Sequence, residues 1–158
     1  MICCLLLRLA ERVMRQPPDF VVGGSDRPYL RRWFVIPRNR FVNIYVHEFR
    51  RSDDDRALHD HPWVNCSILL RGCYVEQTIR AGGISDRRLR VAGDVKLRSP
   101  WSAHRIEVGQ PCVTLFITGP RIREWGFHCP EAGWVHWRDF TNPADDGATV
   151  GRGCGDEP

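Results

Sequence analysis

Short apolar runs alternate with polar residues along most of the chain and end at Gly, Pro, Asn or Asp. The longest run is Phe41–Phe49, where Val42, Ile44 and Val46 alternate with Asn43, Tyr45 and His47. Such alternation predicts strands with one apolar face. Similar runs are Trp33–Ile36, Val64–Leu70, Tyr74–Ile79, Arg87–Val91, Val95–Leu97, Arg105–Val108, Val113–Thr118 and Arg121–Phe127. About nine short strands without helical segments between them predict an all-β sandwich or barrel.

The two ends of the chain depart from this pattern. Ile2–Arg15 has apolar residues at helical spacing and Pro17-Pro18 follows it, so we predict an amphipathic helix within residues 1–18. We expect this helix to pack on the outside of the barrel or on a dimer mate, with a membrane-surface helix as the alternative. Residues 19–140 are then the barrel. Residues 141–158 contain much Gly and Asp and few large apolar side chains, which predicts a disordered tail.

Composition narrows the class of protein. The 158 residues carry a net charge of +4, but the arginines are mixed with acidic residues and Lys96 is the only lysine. This favours a solvated surface over a nucleic-acid interface. Seven cysteines at irregular spacing, with no CxxC pair, argue against a disulfide framework and for a reduced, cytoplasmic setting. Arg8 interrupts the short apolar N-terminal run, so we expect neither a signal peptide nor a membrane partner.

A pair of histidines gives the first chemical signal. His59 and His61 begin an apolar segment that runs to Gly72, and side chains of a strand repeat every second residue. Both imidazoles therefore point to one side, about 6–7 Å apart at Cα. A third histidine, His104, follows a predicted strand and a loop. Three imidazoles can bind a divalent first-row metal ion, and three histidines with an open position also describe a hydrolytic zinc site.

The order of these features resembles the cupin family, whose first motif holds His-x-His and a later glycine, and whose second motif runs Gly-Asp…Pro…His. Here the second motif is Gly93-Asp94…Pro100…His104, and the resemblance covers roughly Val42–Ile117. It implies a small jelly-roll β-barrel with His59, His61 and His104 as metal ligands. The chain departs from the family at several positions, among them Pro100, which comes one residue late, and Val108, which replaces an asparagine. Asn65 stands where the glutamate ligand is usual, which suggests a second-shell or substrate hydrogen bond, and Trp101 replaces a glycine and is a candidate pocket cap.

An all-histidine site without the glutamate looks like that of the thiol dioxygenases. This resemblance implies Fe(II), with Zn, Ni, Mn and Cu left open, and a dioxygenase reaction on a small organic substrate such as a thiol or carboxylate. Cys66, five residues after His61, is similar to a cysteine of the cysteine dioxygenase motif, although a buried core cysteine is the simpler interpretation. A non-catalytic cupin that binds a small molecule and a cupin isomerase are the alternatives.

Further pocket candidates come from strand faces. Tyr45 lies on the polar face of Phe41–Phe49, and Arg123 shares a predicted strand face with Arg121, where a guanidinium could bind an anionic substrate. Glu76 shares a face with Tyr74 and predicts either acid–base chemistry or a cross-strand ion pair. The aromatic segment Trp125–Trp137 predicts strands that pack Trp and Phe on the barrel or across a dimer. The expected partner is a small-molecule substrate, with a homodimer left open.

Overall fold

The computed structural model of the chain describes residues 2–24, 26–52, 57–79, 83, 85–145 and 147–155. Within them the fold is mostly β, as the alternation predicts, with the predicted helix before the strands and a second short helix, which was not predicted, after them. The helices are α1 (Ile2–Val13) and α2 (Trp137–Phe140), followed by a 3-10 turn at Pro143–Asp145. The strands are β1 (Phe20–Val22), β2 (Leu30–Phe34), β3 (Asn43–Phe49), β4 (Leu58–His59), β5 (Asn65–Arg71), β6 (Cys73–Ile79), β7 (Ser85–Val91), β8 (Val95–Arg98), β9 (His104–Glu107), β10 (Cys112–Thr118), β11 (Gly126–Cys129) and β12 (Gly133–His136).

These strands form two six-stranded antiparallel sheets of a jelly roll. The first sheet has the order β1-β2-β3-β10-β5-β8, and the second has the order β12-β11-β4-β9-β6-β7. Alternate residues of each strand point between the sheets, as Asn65, Ser67 and Leu69 do on β5, where they are buried. The predicted all-β jelly-roll class is therefore confirmed.

The space between the sheets has an apolar end and a polar end. A cluster of buried residues from both sheets fills the apolar end: Leu69, Tyr74, Ile106, Val108 and Cys112. Other inward residues of the same strands are polar and equally buried, namely His47, Asn65, Ser67, Glu76, His104, Thr114 and Thr118. Buried polar groups are costly unless they serve a partner, so this second end is where a site is expected.

The N-terminal helix lies on the outer face of the first sheet. Ala10 of α1 joins a buried cluster with Trp33, Val46, Leu70 and Val113, and several apolar side chains of the helix pack against it. The indole Nε1 of Trp33 donates to the Gln16 carbonyl at 2.8 Å, which fixes the chain just after the helix. The expected packing on the barrel exterior is thus observed.

Two segments differ from the sequence prediction. Residues 121–125, predicted as the start of a strand, run as irregular chain over the loop after His61, where the Ile122 amide donates to the Pro62 carbonyl at 2.9 Å. Pro120 lacks an amide hydrogen and Arg121 pairs with Glu124 one turn later, which favours a turn over a strand. The aromatic segment Trp125–Trp137, predicted as strands, forms β11 and β12 and ends at the first residue of α2.

The C-terminal segment is folded back over most of its length, unlike the predicted disordered tail. Thr141 bridges Val150, and the amides of Gly151 and Gly153 both donate to the Phe140 carbonyl. Residues 156–158 of the predicted tail lie outside the described residues.

The folded-back C-terminal segment brings two cysteines together that are far apart in the sequence. Cys129 and Cys154 form a disulfide, so the expectation of no disulfide framework was wrong for this pair. Sequence spacing missed it because 25 residues separate the two sulfurs and only the folded tail closes that distance. The other five cysteines are free. No helix among the described residues is long and apolar enough to cross a membrane.

Candidate metal centre

Strand pairing brings the three predicted ligands together. His59 ends β4, His61 lies two residues further in the following turn, and His104 begins β9. In the second sheet β4 and β9 are antiparallel neighbours, and His59 is directly opposite His104. Residues paired in this way have Cβ atoms about 4.5–5.5 Å apart. A histidine 45 positions away in the chain is therefore held beside the His-x-His pair by the backbone itself.

The three rings form a nearly regular triangle. The ring centroids of His59 and His61 are 5.2 Å apart, those of His59 and His104 are 4.9 Å apart, and those of His61 and His104 are 5.2 Å apart. One nitrogen from each ring lies within 4.8 Å of the others, and the Nε2 atoms of His61 and His104 are 3.0 Å apart. Two nitrogens at right angles, each about 2.1 Å from one ion, are about 3.0 Å from each other. The group could therefore hold a metal ion.

The protonation state of the rings suits this role. Burial lowers the pKa of His61 well below its ordinary value, and the neighbouring His59 and Arg98 lower it further. Burial, followed by the charge of Arg98, also lowers the pKa of His104 well below its ordinary value. Imidazole binds a metal in its neutral form. Both rings are therefore in the ligating form at neutral pH.

A buried carboxylate stands behind His104. Glu76 of β6 is 1% exposed, and its Oε1 lies 3.6 Å from Nδ1 of His104. Two guanidinium groups hold this carboxylate: Arg98 binds Oε1 through Nε at 3.0 Å and also through Nη2, and Arg90 donates from Nε to Oε2 at 2.9 Å. Burial raises the pKa of Glu76, but Arg98 and Arg90 outweigh it and lower the pKa overall. An ionised carboxylate on this side favours a proton on Nδ1 and leaves Nε2 of His104 for an ion.

A second buried carboxylate lies between the two clustered histidines. Asp60 is 1% exposed, and its Oδ1 accepts the Gly126 amide at 2.9 Å. Its Oδ2 meets Arg123 Nη1 at 2.9 Å, Trp134 Nε1 at 3.1 Å and His128 Nε2 at 3.2 Å. Asp60 thus ties the His-x-His turn to β11 and β12, which fixes where His59 and His61 point.

The two predicted residues next to each other on β5 face opposite ways. Asn65 is 1% exposed and points between the sheets, and neither its Oδ1 nor its Nδ2 has a hydrogen-bond partner among the described residues. Cys66 alternates with it and lies on the outer face, the face that also carries Leu70 beneath α1. The structure therefore brings Asn65, and not Cys66, to the interior that holds the histidines.

Tyr45 reaches the interior through a stack of rings. It lies parallel to His47, with 5.8 Å between the ring centroids, and His47 stacks on Phe116 at 5.0 Å. Phe116 in turn lies 5.8 Å from His61. Arg32 donates from Nε to Nε2 of His47 at 2.9 Å. Tyr45 thus lines the interior two rings away from the metal ligands.

Trp101 and Arg123 shape the loop before His104. The guanidinium of Arg123 lies 5.8 Å from the Trp101 ring centre, and its Nη1 donates to the Pro100 carbonyl at 2.9 Å. Arg123 also forms an ion pair with Asp60, so it connects the loop before His104 to the turn that carries His59 and His61. Trp101 itself is 67% exposed.

An open cavity of about 470 Å³ lies beside His104, between β8 and β6. This volume is within the usual range for small-molecule sites. The residues that line it include Thr78, Lys96, Arg98, Trp101, His104 and His128.

Sequence reasoning missed part of the site. The sequence pattern assigns no role to Asp60, the residue between the two histidines. It marks Glu76 only as an acid–base or ion-pair candidate on its own strand. The register of β6 on β9, which pairs Thr78 with His104, decides that Glu76 faces the metal ligands. A carboxylate two residues before a position paired with a ligand was the available signal, but it requires the strand pairing to be known.

Solved structures share this architecture. Bacillus subtilis oxalate decarboxylase with Mn(II) centres aligns with a TM-score of 0.51 and 17% identity, over 73% of this chain and 31% of that chain. The fold is that of a cupin. A cupin superfamily protein from Desulfitobacterium hafniense aligns with a TM-score of 0.48 and 14% identity, over 65% of this chain and 84% of that chain. KdgF from Halomonas sp. aligns with a TM-score of 0.49 and 15% identity, over 65% of this chain and 95% of that chain.

At these identities the likeness concerns the cupin fold alone. The chain spans about a third of the length of the oxalate decarboxylase chains that it matches. No protein-family model matches the sequence, and no curated protein matches it.

Proposed function

We propose that this cupin is an Fe(II)-dependent dioxygenase that acts on a small organic substrate at the His59, His61 and His104 centre. One observation carries the proposal. One nitrogen from each of the three imidazoles lies within 4.8 Å of the others, and the position where the related motif has a carboxylate ligand is Asn65. An ion held by three neutral ligands keeps its full charge and several open positions, which suits the binding of both an organic anion and dioxygen.

The side chains around the centre have distinct roles in this proposal. The three histidines hold the ion, and the ionised Glu76, whose Oε1 lies 3.6 Å from Nδ1 of His104, favours a proton on that nitrogen through its charge. Asp60 and Arg123 keep the turn and the loop that carry the ligands in place. The amide of Asn65, which is buried without a partner among the described residues, is free to hydrogen-bond a bound molecule. Bound iron would supply activation of O₂, and both oxygen atoms would enter the product without an external reductant.

Manganese is the second candidate metal. Bacillus subtilis oxalate decarboxylase, whose fold this chain shares, has Mn(II) centres. Imidazole ligands by themselves do not select one first-row metal, because the affinity of such a site follows the general order of the divalent metals. The metal found in freshly purified protein, compared with the metal that restores activity, distinguishes iron from manganese, zinc, nickel and copper.

The second candidate function is a non-catalytic binding protein. The polar interior favours it, since Asn65 and Thr118 are neighbours on β5 and β10 and both lack hydrogen-bond partners among the described residues. Such groups can bind a small molecule whether or not a reaction follows.

Oxygen consumption separates the two functions. We expect purified protein to contain iron, and iron-loaded protein to consume O₂ when small thiols and carboxylic acids are supplied, with both atoms of ¹⁸O₂ found in one product. The double variant His59→Ala/His61→Ala should lose metal and activity, whereas His136→Ala, whose ring binds Glu124 away from the centre, should keep both. Ligand binding without O₂ uptake at any loaded metal would contradict the dioxygenase and support the binding protein.

A further inference from the structure

The cavity beside His104 has a strand edge of the first sheet as one wall. Lys96 and Arg98 alternate along β8, so their side chains share a face. They are paired with Ser67 and Asn65 of β5, whose side chains are buried between the sheets. Lys96 and Arg98 therefore point inward, toward the cavity that they line together with His104.

The charge around the cavity is unbalanced. None of the described residues that line it is acidic. The guanidinium of Arg98 is matched by the carboxylate of Glu76. Lys96, by contrast, has no carboxylate within 4.0 Å in the part of the chain that the structure describes. Among the described residues of the cavity, the ammonium of Lys96 is therefore a cation without a carboxylate partner.

Lys96 is also close to the metal ligands. It lines the same cavity as His104, and it lies two residues from Arg98 on β8, whose guanidinium binds the carboxylate behind His104. An anion that binds Lys96 would thus lie beside the proposed metal position rather than on the outer surface.

The other walls suit a small organic molecule. Thr78 of β6 is paired with His104 of β9, and its hydroxyl makes no hydrogen bond with any described residue. The largely exposed indole of Trp101 gives the cavity a flat apolar side. A cation, a free hydroxyl and an aromatic wall around about 470 Å³ match a molecule that has one anionic group and an apolar body.

We propose that the cavity binds a small organic acid, with the carboxylate on Lys96 and the apolar body against Trp101, beside His104. The role of this acid as a substrate rests on the proposed function, but its binding does not. A carboxylate is favoured over a phosphate because one lysine and one hydroxyl offer few donors for a doubly charged group. Inorganic phosphate is therefore included as a probe in the test.

The test uses matched ligands and matched variants on the full chain. Phenylacetate and its neutral amide, phenylacetamide, have nearly the same shape and differ in charge. Their dissociation constants, and that of inorganic phosphate, are measured by calorimetry on metal-free protein, so that direct ligation of an ion does not contribute. Lys96→Met removes the cation, Lys96→Arg keeps it, and Arg8→Met removes one exposed cation from α1, on the outer face of the first sheet, as the control for net charge. Because Lys96 is the only lysine, its ¹³C-methylated amine also gives a single side-chain lysine NMR signal.

We expect phenylacetate to bind about tenfold more tightly than phenylacetamide, a difference of about 1.4 kcal/mol, and phosphate to bind more weakly than phenylacetate. Lys96→Met should abolish the preference for the acid, while Lys96→Arg and Arg8→Met should keep it, and phenylacetate should shift the lysine signal. Equal binding of acid and amide, no binding of the acid, tighter binding of phosphate, or an unchanged preference in Lys96→Met would each overturn the proposal. Acid binding with no O₂ uptake in iron-loaded protein would leave this site standing and refute the dioxygenase.

Discussion

Oε1 of Glu76 lies 3.6 Å from Nδ1 of His104, and the opposite nitrogen of the same ring, Nε2, lies 3.0 Å from Nε2 of His61. A buried anion on one side of an imidazole and a second imidazole on the other define which nitrogen carries the proton and which one is free for an ion. At 3.6 Å Glu76 makes no hydrogen bond to this ring, so it acts on His104 through its charge, which raises the basicity of the imidazole.

Glu76→Gln should therefore weaken metal binding by about 10–100-fold, the usual effect of losing such a partner. It should also lower the free energy of unfolding by about 3 kcal/mol, because Arg98 and Arg90 lose their buried counter-charge. Competition with a chelator measures the first effect and urea unfolding the second. Glu107→Gln, which breaks an ion pair nearer the surface with Arg87, is the control and should leave metal affinity unchanged. Wild-type affinity in Glu76→Gln would show that the carboxylate does not act on His104.

Asp60→Asn should destabilise the protein and the centre together. The substitution removes the charge that pairs with Arg123 and weakens the contacts to His128 and Trp134. We expect a loss of about 2–3 kcal/mol in the free energy of unfolding and weaker metal binding, since Asp60 sits between His59 and His61. Asp139→Asn, an exposed carboxylate on α2, should change neither quantity. If Asp60→Asn changed the free energy of unfolding but not metal affinity, the contacts of Asp60 would be purely structural.

The stability of the metal-free protein should fall as the pH is lowered from 7 toward 5. Burial, followed by the charges of Arg32 and His61, lowers the pKa of His47 well below its ordinary value. Below about pH 6.5 His47 takes up a proton in the unfolded chain but not in the folded chain. The contribution of His47 to the free energy of unfolding is therefore fully present above that pH and decreases below it. One such group gives a slope of up to about 1.4 kcal/mol per pH unit. Urea unfolding of His47→Phe at several pH values should show a shallower slope, and an identical slope would contradict the neutral buried ring.

The cysteines should divide into two classes. Denatured protein should show five reactive thiols without reductant and all seven with it, because Cys129 and Cys154 are paired. Cys112 should react last in the folded protein, since burial raises the pKa of its thiol to about 12. Cys154→Ser should lower the free energy of unfolding by about 3 kcal/mol, and a reductant should bring the wild type to the same value. Seven reactive thiols without reductant would show that Cys129 and Cys154 do not form a disulfide.

The same thiol count tests the expected compartment. Disulfides are rare in a reducing cytoplasm. Thiols alkylated in intact cells before lysis should include Cys129 and Cys154 if the protein is cytoplasmic, and should exclude both if it resides in an oxidising compartment.

The sequence by itself determined the class of fold and the three candidate ligands. Alternation specifies the strands, and the His-x-His spacing keeps two imidazoles close together, although only His59 lies in a strand. His104 could be added because its loop follows a recognisable motif. The amphipathic spacing of Ile2–Arg15 likewise specified α1, because a helix with one apolar face must bury that face on something.

Only the tertiary structure decided what surrounds those ligands. Asn65 and Cys66 are neighbours in the chain, and a shift of one residue in register exchanges which of them faces the histidines. Glu76 meets His104, and Cys129 meets Cys154, through pairings that span 28 and 25 positions. Such contacts depend on how strands stack and how the tail returns. These are set by the packing of the whole chain, because no local pattern encodes the distance between residues so far apart.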